Sequence, residues 1–339
     1  MGDPCIRQQV ERREHEILSP NASFADCSKG REIPEEQCDI RTIFQRDRDR
    51  ILHAKSFRRL KGKTQVFLDP EGDHYRTRLT HTLEVAQNAR TIARALMLNE
   101  DLVEAIAYGH DLGHTPFGHA GERALNSVCP TGFEHNKQSL RVVKYLEKHG
   151  EGLNLSYEVC DGIVNHRSSC KPSTLEGKIV RLSDKIAYVN HDIDDAIRGG
   201  IIHGHDIPKE ITDVIGDTLT KRINTMIHGV VTYSAGKNEI VMNPEIEAAM
   251  LNLRKFLFEN VYTNPAAKAQ EVQAERLVSY LYEYYVDHID ALPEEFIDMI
   301  EKKGEAKELV VCDYIAGMTD RFAVAKLKEL FIPSQWEVM

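Results

Sequence analysis

A disulfide framework is the first thing this sequence argues against. Its seven cysteines are odd in number and include no C-x-x-C pair, which also disfavours a zinc ribbon and fits a reducing cytoplasm. No apolar run approaches the roughly 20 residues a bilayer crossing needs, and the first residues lack a signal-peptide core. Met1-Gly2 fails as a myristoylation start because position 6 is Ile. A cationic surplus is missing too: 43 Lys and Arg stand against 53 Asp and Glu, so broad coating of nucleic acid is disfavoured. Glycine (21) and proline (12) are sparse in a chain of 339 residues that is 42% hydrophobic, which suits one large or two ordinary helix-rich domains folding without staples. Internal repeats and low-complexity segments are absent.

Local charge departs from the total. Residues 41–63 carry nine Lys or Arg against two Asp. RDRDR reads as local ion pairs on a solvated helix, whereas FRRLKGK, followed by Arg76 and Arg78, is expected to face phosphate, because an anionic ligand needs positive charge nearby whatever the global sign. The densest chemistry is GHDLGHTPFGHAGE, which holds His110, Asp111, His114, His119 and Glu122. A histidine followed directly by an aspartate offers one divalent ion a borderline nitrogen and a hard oxygen, but adjacent residues cannot complete a shell. His81 in RTRLTH and Asp184 in VRLSDKIAY, each at or within a segment that reads as a helix, supply the rest of the candidate set His81, His110, Asp111 and Asp184. Hydrolysis is the first hypothesis.

The order H…HD…D, with the second element continuing as HDLGHTPFGHAGE, resembles the HD-domain metallohydrolases. Within that superfamily FRRLKGKTQVF (57–67), YRTRLTHTLEVAQ (75–87), GFEHN (132–136), SDKIAYVNHDIDDAIR (183–198) and CDYIAGMTDRF (312–322) resemble, in order and over almost the whole chain, the bacterial dGTPase-like deoxynucleoside triphosphate triphosphohydrolases.

The coarse structure follows from periodicity. Residues 1–40 are polar and are expected to wrap the surface as loops and short helical pieces; residues 41–60 read as helix. TQVFL, DPEGD and HYRTR read as a small hairpin with Pro and Gly at the turn. Thr80 is a candidate N-cap for a helix with Leu83, Ala86, Ala89, Ala93 and Leu96 on its apolar side, and the amphipathic stretch 100–110 delivers His110 and Asp111 at its end. The clearest helix is 175–198, where Leu175, Ile179, Leu182, Ile186, Val189, Ile193 and Ile197 form a buried stripe and Asp184, Tyr188, His191, Asp192 and Asp195 share another face. GVVTYS and NEIVM read as a second hairpin at about 229–242, and helices are expected again at 245–259, 270–287 and 306–330. The expected fold is all-α, an HD-domain helical fold with one or two small β-hairpins: an N-terminal surface segment (1–40), an HD metallohydrolase core (41–200) and a helical C-terminal part (201–339) that completes the fold and makes subunit contacts.

Phosphate hydrolysis needs a metal with open positions to polarise phosphorus and acidify water, and an acid to protonate the departing sugar oxygen. His119 suits the second task, because in a helix Glu122 lies on the same face and stabilises its imidazolium. The resemblance implies roles residue by residue: His119 and Glu122 are the catalytic pair, His114 and His135 contact the attacked phosphate, and Lys185, Tyr188 and Asp192 hold the triphosphate and the sugar 3′-hydroxyl. Arg78 matches a phosphate arginine, Gln65 a residue near sugar and base, and Arg254 another phosphate arginine. His203 and His205, in a Gly-rich loop outside the motif, are read as surface or interface histidines. The implied reaction is hydrolysis of dNTPs at the α-phosphorus to deoxynucleoside and tripolyphosphate, in the cytoplasm, with one divalent ion per site (Mn, Mg, Fe, Co, Ni or Zn). A homo-oligomer with a second, activating dNTP belongs to the same expectation. The alternatives are an HD phosphohydrolase acting on another nucleotide phosphoester, and a non-catalytic regulator binding dNTPs or single-stranded nucleic acid; retention of His119 and Glu122 beside all four metal positions argues against the latter.

Overall fold

The computed structural model describes residues 4–65, 76–263 and 265–333, and among them regular structure is almost entirely helical. Three helices organise the centre. Arg78–Ala95 is capped by Thr77, whose hydroxyl accepts from the Thr80 N–H while Thr80 returns the bond to the Thr77 N–H. The N-cap is therefore three residues earlier than Thr80, and the apolar side is carried by Val85, Ala86, Ala89, Ile92 and Ala93, with Leu83 left exposed. Glu100–Gly109 starts at Asn99, whose side chain accepts from the Leu102 N–H, and hands over to His110 as expected. Leu175–Arg198 has the predicted bounds: Thr174 caps it, Gly199 follows it, and Leu175, Ile179, Ile186, Val189 and Ile193 are buried. Only the last position of that stripe, Ile197, is exposed.

The expected hairpin at 229–242 does not form. GVVTYS is the end of the helix Leu219–Ser234, which Thr218 caps and which Met226 and Val230 anchor in the core. The returning segment is pinned by one side chain: Ser234 Oγ donates to the Val241 carbonyl at 2.9 Å and accepts its N–H at 3.0 Å. That hydroxyl does locally what a strand ladder would have done, so β-branched composition alone misleads. The first expected hairpin is represented only by its ends, an isolated antiparallel bridge between Thr64 and Thr77; residues 66–75 lie outside the described residues. The expected helix at 41–60 breaks at His53 into Ile43–Leu52 and Lys55–Arg59, and that at 306–330 divides into Lys307–Ala316 and Asp320–Phe331, the second capped by Thr319.

Two apolar cores result. The larger joins the three central helices to Met226, Val230, Leu253, Leu257 and Val261, so the expected division at residue 200 is no break in packing. The smaller joins Ala120, Ala124 and Leu125, from the helix Gly118–Val128, to Val278, Leu281 and Tyr285 of Pro265–Asp287 and to Val311 and Ile315. The histidine-rich segment after Asp111 runs from one core to the other. Its backbone touches the helix His135–Arg141 so closely that a Cβ on Gly113 would lie 2.1 Å from the Ser139 nitrogen. No helix among the described residues is long and apolar enough to cross a membrane.

Candidate metal centre and active site

The central helices bring all four sequence-predicted ligands together. His81 Nε2 lies 3.1 Å from Asp184 Oδ1, and His110 Nε2 lies 3.9 Å from that oxygen and 3.7 Å from Asp111 Oδ1. Two donors each about 2.1 Å from a common ion stand near 3 Å apart when neighbouring. The tautomer of His110 is fixed by its Nδ1–H, which donates to the Ala107 carbonyl at 2.7 Å. The other ring nitrogen, Nε2, is fully buried and has no partner among the described residues, which fits a metal ligand. His81 is oriented from behind, its Nδ1 3.3 Å from His191 Nδ1, while His191 in turn pairs with Glu84. Such outer partners set ring direction and basicity at metal sites. Burial would raise the carboxyls of Asp184 and Asp111, but it is outweighed. The bond to His81 and the neighbouring His110 hold Asp184 well below the usual range, and His110 and Arg78 do the same for Asp111.

A second cluster faces this one. Glu122 takes His119 Nδ1 on one oxygen at 3.2 Å and His135 Nδ1 on the other at 2.8 Å, the latter also accepting the His135 backbone N–H. Burial disfavours its charge, yet the bonds to His119 and His135 keep it ionised far below the ordinary carboxylate range. Half of the His119 side chain is exposed toward solvent, whereas His114 is buried and stacks on His135 at 4.8 Å with an unpartnered Nδ1. Burial, with the Arg78 charge beside it, pushes the His114 imidazole well below its ordinary value, so the ring is neutral. His166 was not foreseen. It donates from Nδ1 to the Ile163 carbonyl and places Nε2 3.1 Å from His135 Nε2, with burial lowering it to about 4. The signal was NHRSS after the helix Tyr157–Val164: a histidine and an arginine ending an apolar helix amid small polar residues.

His81, Asp111 and Asp184 of the first cluster and His114, His119, His135 and His166 of the second border a cleft of about 350 Å³, within the usual range for small-molecule sites, whose walls also include Gln65, Arg78, Lys185, Tyr188 and Arg254. Arg254, the most loosely placed expectation, reaches it from the helix Pro244–Leu257. Arg78 donates to Asp111 Oδ2 at 2.7 Å, and neither its Nε nor Gln65 Oε1 has a partner among the described residues. Asp192 departs from its expected place: it lies buried behind the wall, accepts the Tyr262 hydroxyl, and is pushed well above the carboxylate range by burial and Asp195. The basic run is also reassigned. Arg58 and Arg59 are exposed, Arg76 pairs with Glu84, Asp194 and Asp195, and Lys63 is buried with Nζ on the carbonyls of His114 and Ala316. Of the cations at 58–78 described in the structure, Arg78 alone borders the cleft. His203 and His205 are exposed and stack on each other, as expected of surface residues.

An HD domain is matched over residues 78–189 and a phosphohydrolase-associated domain over 240–329. The chain is 58% identical to a deoxyguanosinetriphosphate triphosphohydrolase-like protein of Caldanaerobacter subterraneus subsp. tengcongensis, over 98% of this chain and 97% of that protein. A protein of the same description from Clostridium perfringens (strain SM101) is 49% identical over 97% of this chain and 98% of its own length. The chain belongs to the deoxyguanosinetriphosphate triphosphohydrolase-like family. As an HD-domain phosphohydrolase of that family, it carries all four candidate ligands inside the HD match, with Gln65 before it and Arg254 in the associated domain. Among solved structures, a phosphohydrolase from Bacteroides thetaiotaomicron shares the fold with a TM-score of 0.54 at 17% identity, covering 84% of this chain and 68% of that one.

Proposed function

We propose that the protein hydrolyses dNTPs, dGTP among them, to deoxynucleoside and tripolyphosphate by attack of water at the α-phosphorus. The observation that carries this reading is the His119–Glu122 pair at the mouth of a cleft that is lined by His81, Asp111 and Asp184 of the candidate ligand set, with His110 beside them, and is walled by Arg78, Lys185 and Arg254. An acid poised beside a metal site, facing three cations, is the equipment that breaking a phosphoester in a polyanion requires.

A divalent ion held by His81, His110, Asp111 and Asp184 would polarise phosphorus and acidify water; imidazole and carboxylate donors suit Mn, Fe, Co, Ni or Zn, with Mg also serving in turnover. His119 delivers a proton to the departing sugar 5′-oxygen, and Glu122, ionised and hydrogen-bonded to its Nδ1, stabilises the imidazolium and fixes the ring. His135, on the other oxygen of Glu122, and neutral His114 contact the attacked phosphate. Arg78, Lys185, Tyr188 and Arg254 hold the triphosphate, and Gln65 offers to sugar or base an amide oxygen that has no partner among the described residues. A cytoplasmic homo-oligomer activated by a second dNTP is the setting this reading implies.

The test is ion-exchange analysis of products after incubation with all four dNTPs and Mg or Mn. Deoxynucleoside with intact tripolyphosphate is expected. Monophosphate with pyrophosphate would move the attack to another bond, and no turnover with any metal would favour a dNTP-binding regulator.

A further inference from the structure

The block CDYIAGMTDRF at 312–322 takes no part in the site described above, yet its polar groups converge on it. We propose that Asp320, acting with Lys63 and Thr64, is a positioning residue that sets the loop carrying His114 and His119. Asp320 is buried at the first turn of Asp320–Phe331. One of its oxygens accepts the Phe117 N–H at 2.9 Å; the other accepts the Thr64 N–H at 2.9 Å and the Thr64 hydroxyl at 2.6 Å. Lys63, buried beside it, donates from Nζ to the carbonyls of His114 and Ala316, and its own carbonyl accepts the Arg78 N–H. Three segments distant in sequence are thus joined at one point. One leads to Gln65 and Arg78, one holds His114 and begins the helix of His119 and Glu122, and one is the C-terminal block.

The loop needs such a clamp. Phe117 has φ 61° and Gly118 φ 58°, a left-handed pair that a non-glycine residue adopts at a cost and keeps only when its surroundings enforce it. Phe117 precedes the helix Gly118–Val128 with no side-chain cap, so Asp320 supplies from another chain segment the acceptor its own N–H requires. Gly62 packs so tightly on Thr319 that a Cβ there would lie 2.9 Å from Cγ2, which fixes the register of the contact. A parallel strut stands on the preceding helix, Lys307–Ala316: Asp313 is buried and accepts from Gln138 and Arg141, on the helix that begins with His135. Both histidine-bearing elements are therefore hung from the same C-terminal block by buried carboxylates.

Asp320→Asn separates positioning from mere stability. Asparagine has one acceptor oxygen and must turn an NH₂ toward either Phe117 N–H or Thr64, so the clamp opens on one side while volume is kept. The kcat readout rests on the proposed dNTP reaction. A fall in kcat on the order of tenfold to a hundredfold is expected, the size a small misplacement of reacting groups produces, with KM within about twofold of wild type and bound metal unchanged. Thr64→Val is expected to lower kcat less, and Thr64→Ser to restore it. Asp47→Asn, in a buried pair remote from the loop, serves as the control that loses stability and keeps kcat. Hydrogen exchange at the Phe117 amide reads the clamp without any substrate: it accelerates in Asp320→Asn and Thr64→Val and not in Asp47→Asn. If the wild type leaves dNTPs intact, the substrate reading falls while the exchange result still decides the clamp. Unchanged kcat with unchanged Phe117 exchange in Thr64→Val, or in a folded Asp320→Asn, overturns the proposal.

Discussion

Two buried aspartate–arginine pairs in this molecule are built alike and used differently. Asp47 meets Arg31 and also accepts the Ser156 N–H at 2.7 Å; Arg31 further reaches Glu35 and the carbonyls of Asn154 and Ile43. Both carboxylate oxygens and every arm of the guanidinium are engaged. Asp111 meets Arg78 through one oxygen and turns the other toward His110, and around this pair Arg78 Nε, His110 Nε2, His114 Nδ1 and Gln65 Oε1 have no partner among the described residues. Burial raises Asp47, whereas at Asp111 the neighbouring His110 and Arg78 outweigh burial and hold it well below the usual carboxylate range. Between these two pairs, the unpartnered guanidinium and imidazole nitrogens about Asp111, more than burial, mark the site, since an unsatisfied buried polar group is costly and is kept where a ligand will satisfy it.

The sharpest test of that contrast is Asp184→Ala. Removing one of four ligands is expected to cost at least the roughly hundredfold loss of metal affinity that an outer-shell change produces; elemental analysis after dialysis and turnover both report it, and full metal content in the variant would break the assignment. His119→Ala comes next, with metal content and substrate binding kept and kcat lowered by about 10² to 10⁴. Near-normal rates there would pass the leaving-group acid to His114 or His135. Asp47→Asn is the converse case: opening a buried pair costs about 3 kcal/mol, read as a lower unfolding midpoint, with kcat per folded molecule unchanged. A change in its kcat would show that the two pairs are not independent.

The smallest effect expected is in pH dependence. Glu14 is raised from 4.5 to about 7, chiefly by burial, against the opposing hydrogen bonds from the Ala25 N–H and the Asn99 side chain. The folded protein holds this proton more tightly than the unfolded chain, so the stability it contributes is fully present below about 4.5 and is lost as pH rises through about 7. The unfolding midpoint is expected to fall over that window, and Glu14→Gln to flatten the slope; equal slopes in the two proteins would remove Glu14 as the cause.

Where the sequence was legible, one physical signal dominated. Leu175–Arg198 is legible to its ends because its apolar stripe runs almost its whole length, and the four candidate ligands are legible because each sits on or at the end of a segment that reads as a helix. Arg254, on a helix outside the HD segment, was placed by resemblance and its spacing alone gives no hint of the cleft. The helix ending at Ser234 was misread because Val230, Val231 and Thr232 favour strands and the fixing bond, Ser234 to Val241, is made by a side chain. Lys63 is expected at phosphate by charge and Asp192 at the substrate by its helix face and by resemblance, but their partners, the carbonyls of His114 and Ala316 and the Tyr262 hydroxyl, are tertiary. His166 was missed for the same reason, since its partner His135 is remote in sequence.

Gly113 has a consequence for how such a chain can vary. With its Cα pressed on the Ser139 backbone, and with the Phe117 N–H held by Asp320, the stretch between Gly113 and Phe117 is gauged at both ends. Inserting one residue would displace His119 by up to about 3.8 Å, beyond what any side chain could recover. Sequence drift can therefore change letters here but not length, and the segment acts as a ruler along which insertions and deletions are barred.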